Sequence, residues 1–136
     1  MKNKRLPALV LFSIFLVLTM IGCGPSQGEL GGTVSYNGRP VVRGSVLVVG
    51  TDRVPKQGPI NPDGTYLVKD IPAGAVKIAV ISPQPTAKVS RKKDDAPQKA
   101  DTTGWFRLPE HYNDPEKSTL SFQLKSGSNS HNIELK

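Results

Sequence analysis

The amino-acid sequence predicts an all-β protein, an antiparallel β-sandwich of about seven strands. Alternating apolar runs recur from Leu30 onward, turn sequences separate them about every ten residues, and no later segment keeps a helical apolar period. The 136 residues include 13 glycines and 12 prolines, a content typical of short strands joined by tight turns. A chain of this length has room for one domain.

A hairpin signal and an apolar run predict the first strands. Residues 29–36, ELGGTVSY, alternate in polarity and lead into Asn37-Gly38, the strongest short hairpin turn. Residues 45–49, SVLVV, are continuously apolar after the serine, which predicts a strand buried on both sides. Residues 50–58 are polar and contain Pro55, so we expect a loop there.

The central segment has the clearest strand pattern. Pro62-Asp63-Gly64 predicts a turn, because proline presets φ, aspartate bonds its own backbone and glycine accepts a positive φ. A strand over TYLVK follows, with Tyr66 and Val68 on one face, and residues 71–74, IPAG, form the next turn. The strand after it points three residues inward: Val76, Ile78 and Val80.

Residues 83–104 interrupt the strand pattern with three prolines and mixed charges. Loops beyond about 12–15 residues are uncommon in compact domains, and this composition cannot bury itself. We expect a long, mobile, disordered loop, with a binding arm as the alternative. We expect ordered structure again from Trp105 onward. The last two predicted strands, LSFQLK and SHNIELK, flank a turn at residues 127–129.

The N-terminus has the parts of a secretory signal. MKNKR gives a cationic start, residues 6–21 carry no charge, and Gly22-Cys23 follows. Such a run suits the apolar region of a signal peptide, about 7–15 residues, better than a membrane-spanning helix of about 20. An uncleaved helical anchor with an incidental cysteine is the alternative.

The stretch around Cys23, the only cysteine, resembles a bacterial lipobox, in which a signal peptidase cuts just before a cysteine that becomes lipidated. Met20 and Ile21 stand where the usual pattern has leucine and a small residue. Several acyl chains on one cysteine give stable membrane attachment. Gly24 stands where aspartate often signals inner-membrane retention, which favours the outer membrane.

These features divide the chain into three parts. We expect a signal peptide over residues 1–22, a lipidated tether over residues 23–28 and a β-sandwich domain over residues 29–136. Cys23 is the predicted lipid attachment site. The predicted location is the cell envelope, with the membrane itself as a partner through the lipid anchor.

The domain resembles the carboxypeptidase regulatory-like domains, which belong to the transthyretin-like (prealbumin-like) β-sandwiches. The resemblance rests on an early G-x-V-x-x-x-G-x-P-V pattern and a later D-G-x-Y pattern that leads into P-x-G. The matching residues are Gly32, Val34, Gly38, Pro40, Val41, Val46, Asp63, Gly64, Tyr66, Val68, Ile71, Pro72, Gly74, Ile78 and Val80. Val76 departs from the pattern, because an aromatic residue is common there.

The C-terminal LPEHYNDPEKSTL segment is similar to the ending of small bacterial lipoproteins built on this domain. The resemblance implies a transthyretin-like or immunoglobulin-like sandwich on a lipoprotein. It implies no catalytic residues and no particular biochemistry, because fold does not fix function.

The sequence contains no recurrent catalytic or metal-binding motif. His111 and His131 are twenty residues apart, and neither lies in a nucleophile–base motif. The spacing of Glu110, His111 and Asp114 matches no recurrent metal-ligand pattern. We therefore expect no metal, no cofactor and no enzymatic activity.

Two other ligand classes receive little support. Asn61, Asp63 and Asp70 lack the dense carboxylates of a calcium loop. Part of the net charge of +7 comes from the cationic N-terminus, and the sequence contains no basic stripe interleaved with aromatic residues. We therefore expect no nucleic-acid partner.

The aromatic residues near the charged loop allow two readings. The first interpretation is structural: the side chains pack in the core or cover a sheet edge, and the Tyr112 hydroxyl bonds the backbone. The second is that they form a platform on which a sugar stacks, and it involves Trp105, Phe106 and Tyr112. We expect a non-catalytic structural or protein-binding sandwich whose partner is another envelope protein or a polysaccharide. The alternative is a carbohydrate-binding module with Trp105 and Tyr112 as ligand contacts.

Overall fold

A computed structural model describes residues 26–86 and 101–136 of the chain. The predicted signal peptide, Cys23 and most of the predicted loop, residues 87–100, lie outside the described residues. No helix in the described ranges is long and apolar enough to cross a membrane. The described elements are strands β1 (Gln27–Tyr36), β2 (Arg39–Pro40), β3 (Gly44–Val49), β4 (Pro55–Ile60), β5 (Thr65–Pro72), β6 (Gly74–Ile81), β7 (Leu120–Leu124), β8 (Gly127–Ser130), β9 (Ile133–Leu135) and the 3-10 helix Glu110–Asn113.

The strands form one strongly curled sheet that closes over a single core. The path runs β2-β1-β5-β4-β3-β6-β7, with β8 and β9 added to the free side of β1. Only one residue pair, Ile60 with Tyr66, joins β4 to β5 in register. The sheet continues across this junction, and the predicted all-β, sandwich-like fold is confirmed.

The core is one cluster of the inward-facing residues of the curled sheet. Alternation places them on one face of each strand, as predicted for β5 and β6. The fully buried large side chains are Leu30, Val34, Val46, Val48, Val68, Ile71, Val76, Ile78, Val80, Leu124, Ile133 and Leu135.

The two strongest turn signals form as predicted. Asn37 and Gly38 take positive φ values of 48° and 78° between paired Tyr36 and Arg39, which is the geometry of a two-residue hairpin. At the next turn, the Asp63 carboxylate accepts the Thr65 backbone N–H at 2.9 Å.

Two expectations about the β3–β4 region were wrong. The predicted polar loop over residues 50–58 contains the start of β4, which begins at Pro55 and pairs with β3. Proline is tolerated because it is the first residue of a strand that has almost no ladder on its other side. Strand β3 is buried on one face only, since Leu47 and Val49 point outward and are half-buried.

The C-terminal strands also depart from the prediction. The expected turn at residues 127–129 is strand β8, and both β8 and β9 pair with β1 in parallel rather than antiparallel ladders. The turn lies earlier, where the Asn129 carboxamide bonds the backbone of Lys125 at both its N–H and its carbonyl. After this turn β8 begins at Gly127, opposite Gly28 near the start of β1, and therefore runs parallel to β1.

The strands define two ends of the sandwich. The proximal end is where Ser26 enters, beside the turns at residues 50–54, 72–74 and 125–127. The distal end carries the Asn37-Gly38 hairpin, the turn at residues 61–64 and Ser82. Strand β6 connects the two ends, and its eight residues span about 23 Å at 3.3 Å per residue.

Candidate functional site

A groove of about 290 Å³ opens at the distal end and is the candidate functional site. It lies between the segment that follows β6 and the segment that contains the 3-10 helix. We call it the Trp105 groove, and its lining residues are Ser82, Pro83, Gln84, Trp105, Arg107, Leu108, Glu110 and Asn113.

Hydrogen bonds fix the orientation of Trp105 in this groove. Its indole Nε1–H donates to the Ser82 hydroxyl at 3.1 Å, and that hydroxyl donates to the Arg43 carbonyl at 2.8 Å. The Trp105 backbone N–H donates to the Thr102 carbonyl at 3.0 Å. The half-buried indole is thus held at its edge as part of the groove wall.

Polar side chains with planar groups complete the lining. The Arg107 guanidinium and the Glu110 carboxylate form an exposed ion pair at 2.7 Å, three residues apart. The exposed carboxamides of Gln84 and Asn113 lie in the same lining. Together these groups offer hydrogen-bond donors and acceptors beside an aromatic ring.

Tyr112 belongs to the core beneath the 3-10 helix and does not line the Trp105 groove. Its hydroxyl donates to the Lys136 carbonyl at 2.8 Å and accepts the Lys136 backbone N–H at 3.0 Å. This hydroxyl-to-backbone bond belongs to the structural interpretation of the aromatic residues, one of the two that the sequence allows. The structure thus places Trp105 in the groove wall and Tyr112 below it, without joining them in one platform.

The histidines have structural neighbours. The His131 ring packs on Phe122 with centroids 4.7 Å apart, and its carbonyl accepts the buried Tyr66 hydroxyl at 2.8 Å. Burial raises the pKa of Tyr66 above its ordinary value. The exposed His111 ring lies 3.9 Å from the Tyr112 ring, centroid to centroid. Neither histidine lines the Trp105 groove.

The carboxylates considered as metal ligands are engaged locally. The Asp114 carboxylate accepts the Glu116 backbone N–H at 2.9 Å and lies 3.7 Å from the Lys117 ammonium. Within residues 26–86 and 101–136, no group of three or more histidine, cysteine or acidic side chains is placed to share a metal ion.

The residues considered as calcium ligands lie in or beyond a turn. The Asp63 carboxylate accepts the Thr65 hydroxyl at 2.7 Å, and the Asn61 carboxamide donates to that hydroxyl at 2.9 Å. The Thr65 hydroxyl, with the Thr65 backbone N–H, lowers the pKa of Asp63. Asp70 lies near the other end of β5, so the three residues do not form one cluster.

Sequence reasoning missed Gln84, Arg107 and Asn113 as lining residues. Gln84 belongs to a segment that was interpreted only as part of a charged loop, and the other two carry no motif. Folding brings Gln84 to Trp105 from 21 positions away in the sequence, which no local pattern indicates, whereas Arg107 and Asn113 follow Trp105 within eight positions.

The sequence matches no protein-family model and no curated protein. Solved structures share part of the shape at low identity. A DUF3823 family protein from Parabacteroides merdae matches 83% of this chain and 47% of its own, with 12% identity and a TM-score of 0.44. A DUF3823 family protein from Bacteroides ovatus matches 79% of this chain and 42% of its own, with 16% identity and a TM-score of 0.42.

A proposed carbohydrate-binding protein from Bacteroides uniformis is similar to the same extent. It matches 82% of this chain and 41% of its own, with 13% identity and a TM-score of 0.42. The chain therefore spans less than half the length of each of these three proteins. Similarity at this level describes shape, and no ligand or activity follows from it.

Proposed function

We propose that this chain is a lipid-anchored protein of the cell envelope whose β-sandwich binds a partner without catalysis. The observation that carries the proposal is the placement of its two functional regions. Cys23 precedes Ser26 by three positions at the proximal end, whereas the Trp105 groove opens at the distal end. A lipid on Cys23 would therefore attach at the end of the domain opposite the groove.

The lipid anchor is tested by replacing the thiol that would carry it. We expect wild-type protein from membranes to have an N-terminal Cys23 with lipid mass, and Cys23→Ser to lack both the lipid and the cut before residue 23. Intact mass and membrane fractionation measure this, with Ser26→Ala as the matched control. Identical processing of the wild type and Cys23→Ser would contradict the anchor.

Binding without catalysis is supported by the chemistry of the groove. Its carboxylate, Glu110, is paired with Arg107, and the described residues that line the groove include no histidine and no cysteine. A lining of this composition supports a recognition role. The expected partner is another envelope protein, which approaches the domain from the side opposite the membrane.

A pull-down identifies that partner and tests the role of the groove. The tagged lipoprotein is recovered from detergent-solubilised envelope as wild type, Trp105→Ala or Lys125→Ala. We expect Trp105→Ala to lose most of the recovered partner, because the indole forms the groove wall. Lys125→Ala, at the proximal end, is the control and should retain the partner. Equal recovery by all three proteins would contradict a role for the groove.

A carbohydrate is the second candidate ligand, and the composition of the groove favours it. Sugars stack on an aromatic face and exchange hydrogen bonds with planar polar groups, which here are the carboxamides, the carboxylate and the guanidinium around Trp105. Trp105 is the only tryptophan, so its fluorescence reports on the groove alone.

Titration with oligosaccharides from the envelope tests this candidate. We expect saturable change in Trp105 emission, weakened about tenfold by Asn113→Ala through loss of a hydrogen bond to the ligand. Gln123→Ala, an exposed carboxamide on β7, is the matched control and should bind as the wild type does. Emission that no envelope oligosaccharide changes would leave the protein-binding proposal and exclude this one.

A further inference from the structure

The proximal end presents a surface that the proposed function does not use. Its three turns lie side by side around the point where the chain enters the domain. The Ala73 backbone N–H donates to the Ser26 carbonyl at 2.9 Å. A Cβ on Gly50 would meet the Pro72 ring at 3.4 Å, and one on Gly74 would meet the Thr51 methyl group at 3.2 Å.

The distance from Cys23 limits how far this end can stand from a membrane. Cys23 and Ser26 are separated by three residue steps, and an extended chain spans at most about 3.6 Å per residue, or about 11 Å in total. This reach is less than half the length of β6. A lipid on Cys23 therefore keeps the proximal turns at the headgroups.

The side chains at this end suit an anionic lipid surface. Arg53, Lys69 and Lys125 are exposed, one on or beside each turn, and Val54 beside Arg53 is 47% exposed. Basic residues next to an exposed apolar one are typical of surfaces that rest in the headgroup region.

Acidic side chains lie among these basic ones, and both Asp52 and Asp70 are exposed. The Asp52 carboxylate accepts the Val54 backbone N–H at 3.0 Å, and the Glu29 carboxylate accepts the Ser128 hydroxyl at 2.9 Å. Asp70 is exposed beside Lys69. Three exposed basic side chains against two exposed carboxylates leave a small positive excess at this end.

We propose that the proximal end lies directly on an anionic phospholipid surface, with Val54 and Arg53 in the headgroup layer and the Trp105 groove about 23 Å above it. The proposal rests on the proposed lipid anchor at Cys23. It adds an orientation, since a lipid on a flexible tether alone would leave the domain free to tumble.

Fluorescence quenching by brominated lipid tests this orientation. Full-length protein purified from membranes is checked for lipid by intact mass and reconstituted into vesicles of phosphatidylethanolamine and phosphatidylglycerol. Wild type reports from Trp105, and a Val54→Trp, Trp105→Phe variant reports from the proximal end. Brominated lipid should lower the variant's emission about twofold, because the indole lies in the interface, and leave the wild-type emission unchanged.

Charge reversal supplies the second arm. Arg53→Glu with Lys125→Glu, added to the Val54→Trp variant, should remove most of the quenching. Arg43→Glu with Lys136→Glu changes the charge equally at the distal end and should leave it intact. Equal quenching at both ends, or none at residue 54 in protein whose mass includes the lipid, would overturn the orientation alone. A mass without lipid would overturn the anchor and the orientation with it.

Discussion

The two ends of the sandwich are closed in different ways. At the proximal end the closing contacts involve the main chain. A Cβ on Gly28 would clash with the carbonyl oxygen of Lys125 and lie 2.9 Å from that of Gly127. The Asn129 carboxamide donates to the Lys125 and Gly127 carbonyls at 2.7 and 3.0 Å.

At the distal end side chains close the fold. The Tyr36 and Phe106 rings stack with centroids 5.7 Å apart, and the Arg39 guanidinium lies 4.9 Å above the Phe106 ring. Tyr112 ties the 3-10 helix to the C-terminal backbone through its hydroxyl. Where backbone contacts close the fold, the long side chains remain exposed and can contact another surface. Where aromatic side chains close it, they can form the walls of a groove.

The largest expected effect lies at the proximal end. Gly28→Ala should lower the free energy of unfolding by about 3 kcal/mol, because a methyl group there displaces two backbone carbonyls that have no flexible end to yield. Urea denaturation of the domain over residues 26–136 measures this. A loss below about 1 kcal/mol would show that the main-chain closure at this end can relax.

The matched control is Gly38→Ala at the distal end. Gly38 has a φ of 78°, and no atom lies within 4 Å of where its Cβ would be. Only the backbone conformation is strained, so we expect a loss of about 1 kcal/mol. The two variants therefore compare close backbone approach, at Gly28, with backbone strain alone, at Gly38.

Tyr112→Phe, at the distal end, should lower the free energy of unfolding less than Gly28→Ala does. The substitution removes two hydrogen bonds to the Lys136 backbone and keeps the buried ring. Because Lys136 is exposed and water can replace the hydroxyl, we expect about 1 kcal/mol. Tyr36→Phe, which keeps the stack on Phe106, is the control and should change stability by less than about 0.5 kcal/mol.

Local patterns in the sequence predicted the strands and turns that depend on local interactions. The Asn37-Gly38 hairpin and the alternation of β6 required no knowledge of distant residues. Strand β4 was missed because Pro55 and Pro59 resemble loop residues, and they are tolerated in the strand because only one residue pair joins β4 to β5 in register. Strand β8, GSNS, has no apolar residue, and only its partner β1 makes it a strand.

The sequence predicted the candidate site only at the one residue whose type is distinctive. Trp105 stood out as the single tryptophan, and it lines the groove. Tyr112 carried the same aromatic signal but lies in the core, since sequence does not show which way a ring points. Gln84 and Asn113 reach the groove through the return of the chain after β6, a tertiary effect with no local signature.

The smallest expected effect concerns how the distal turn responds to pH. The Thr65 hydroxyl, and then the Thr65 backbone N–H, hold the pKa of Asp63 below its ordinary value of 3.8. A carboxyl whose folded pKa is lowered adds stability above its unfolded pKa and loses it as pH falls through the folded pKa. The melting temperature of the wild type should therefore exceed that of Asp63→Asn by a small margin near pH 6, and the margin should shrink as the pH falls below 3.8. Repeating the comparison with Thr65→Val in both proteins removes the largest cause, so the pH dependence of the margin should shrink. A margin that stays constant with pH would show that the charge on Asp63 does not stabilise this turn, and that the distal end, like the proximal one, relies there on backbone geometry alone.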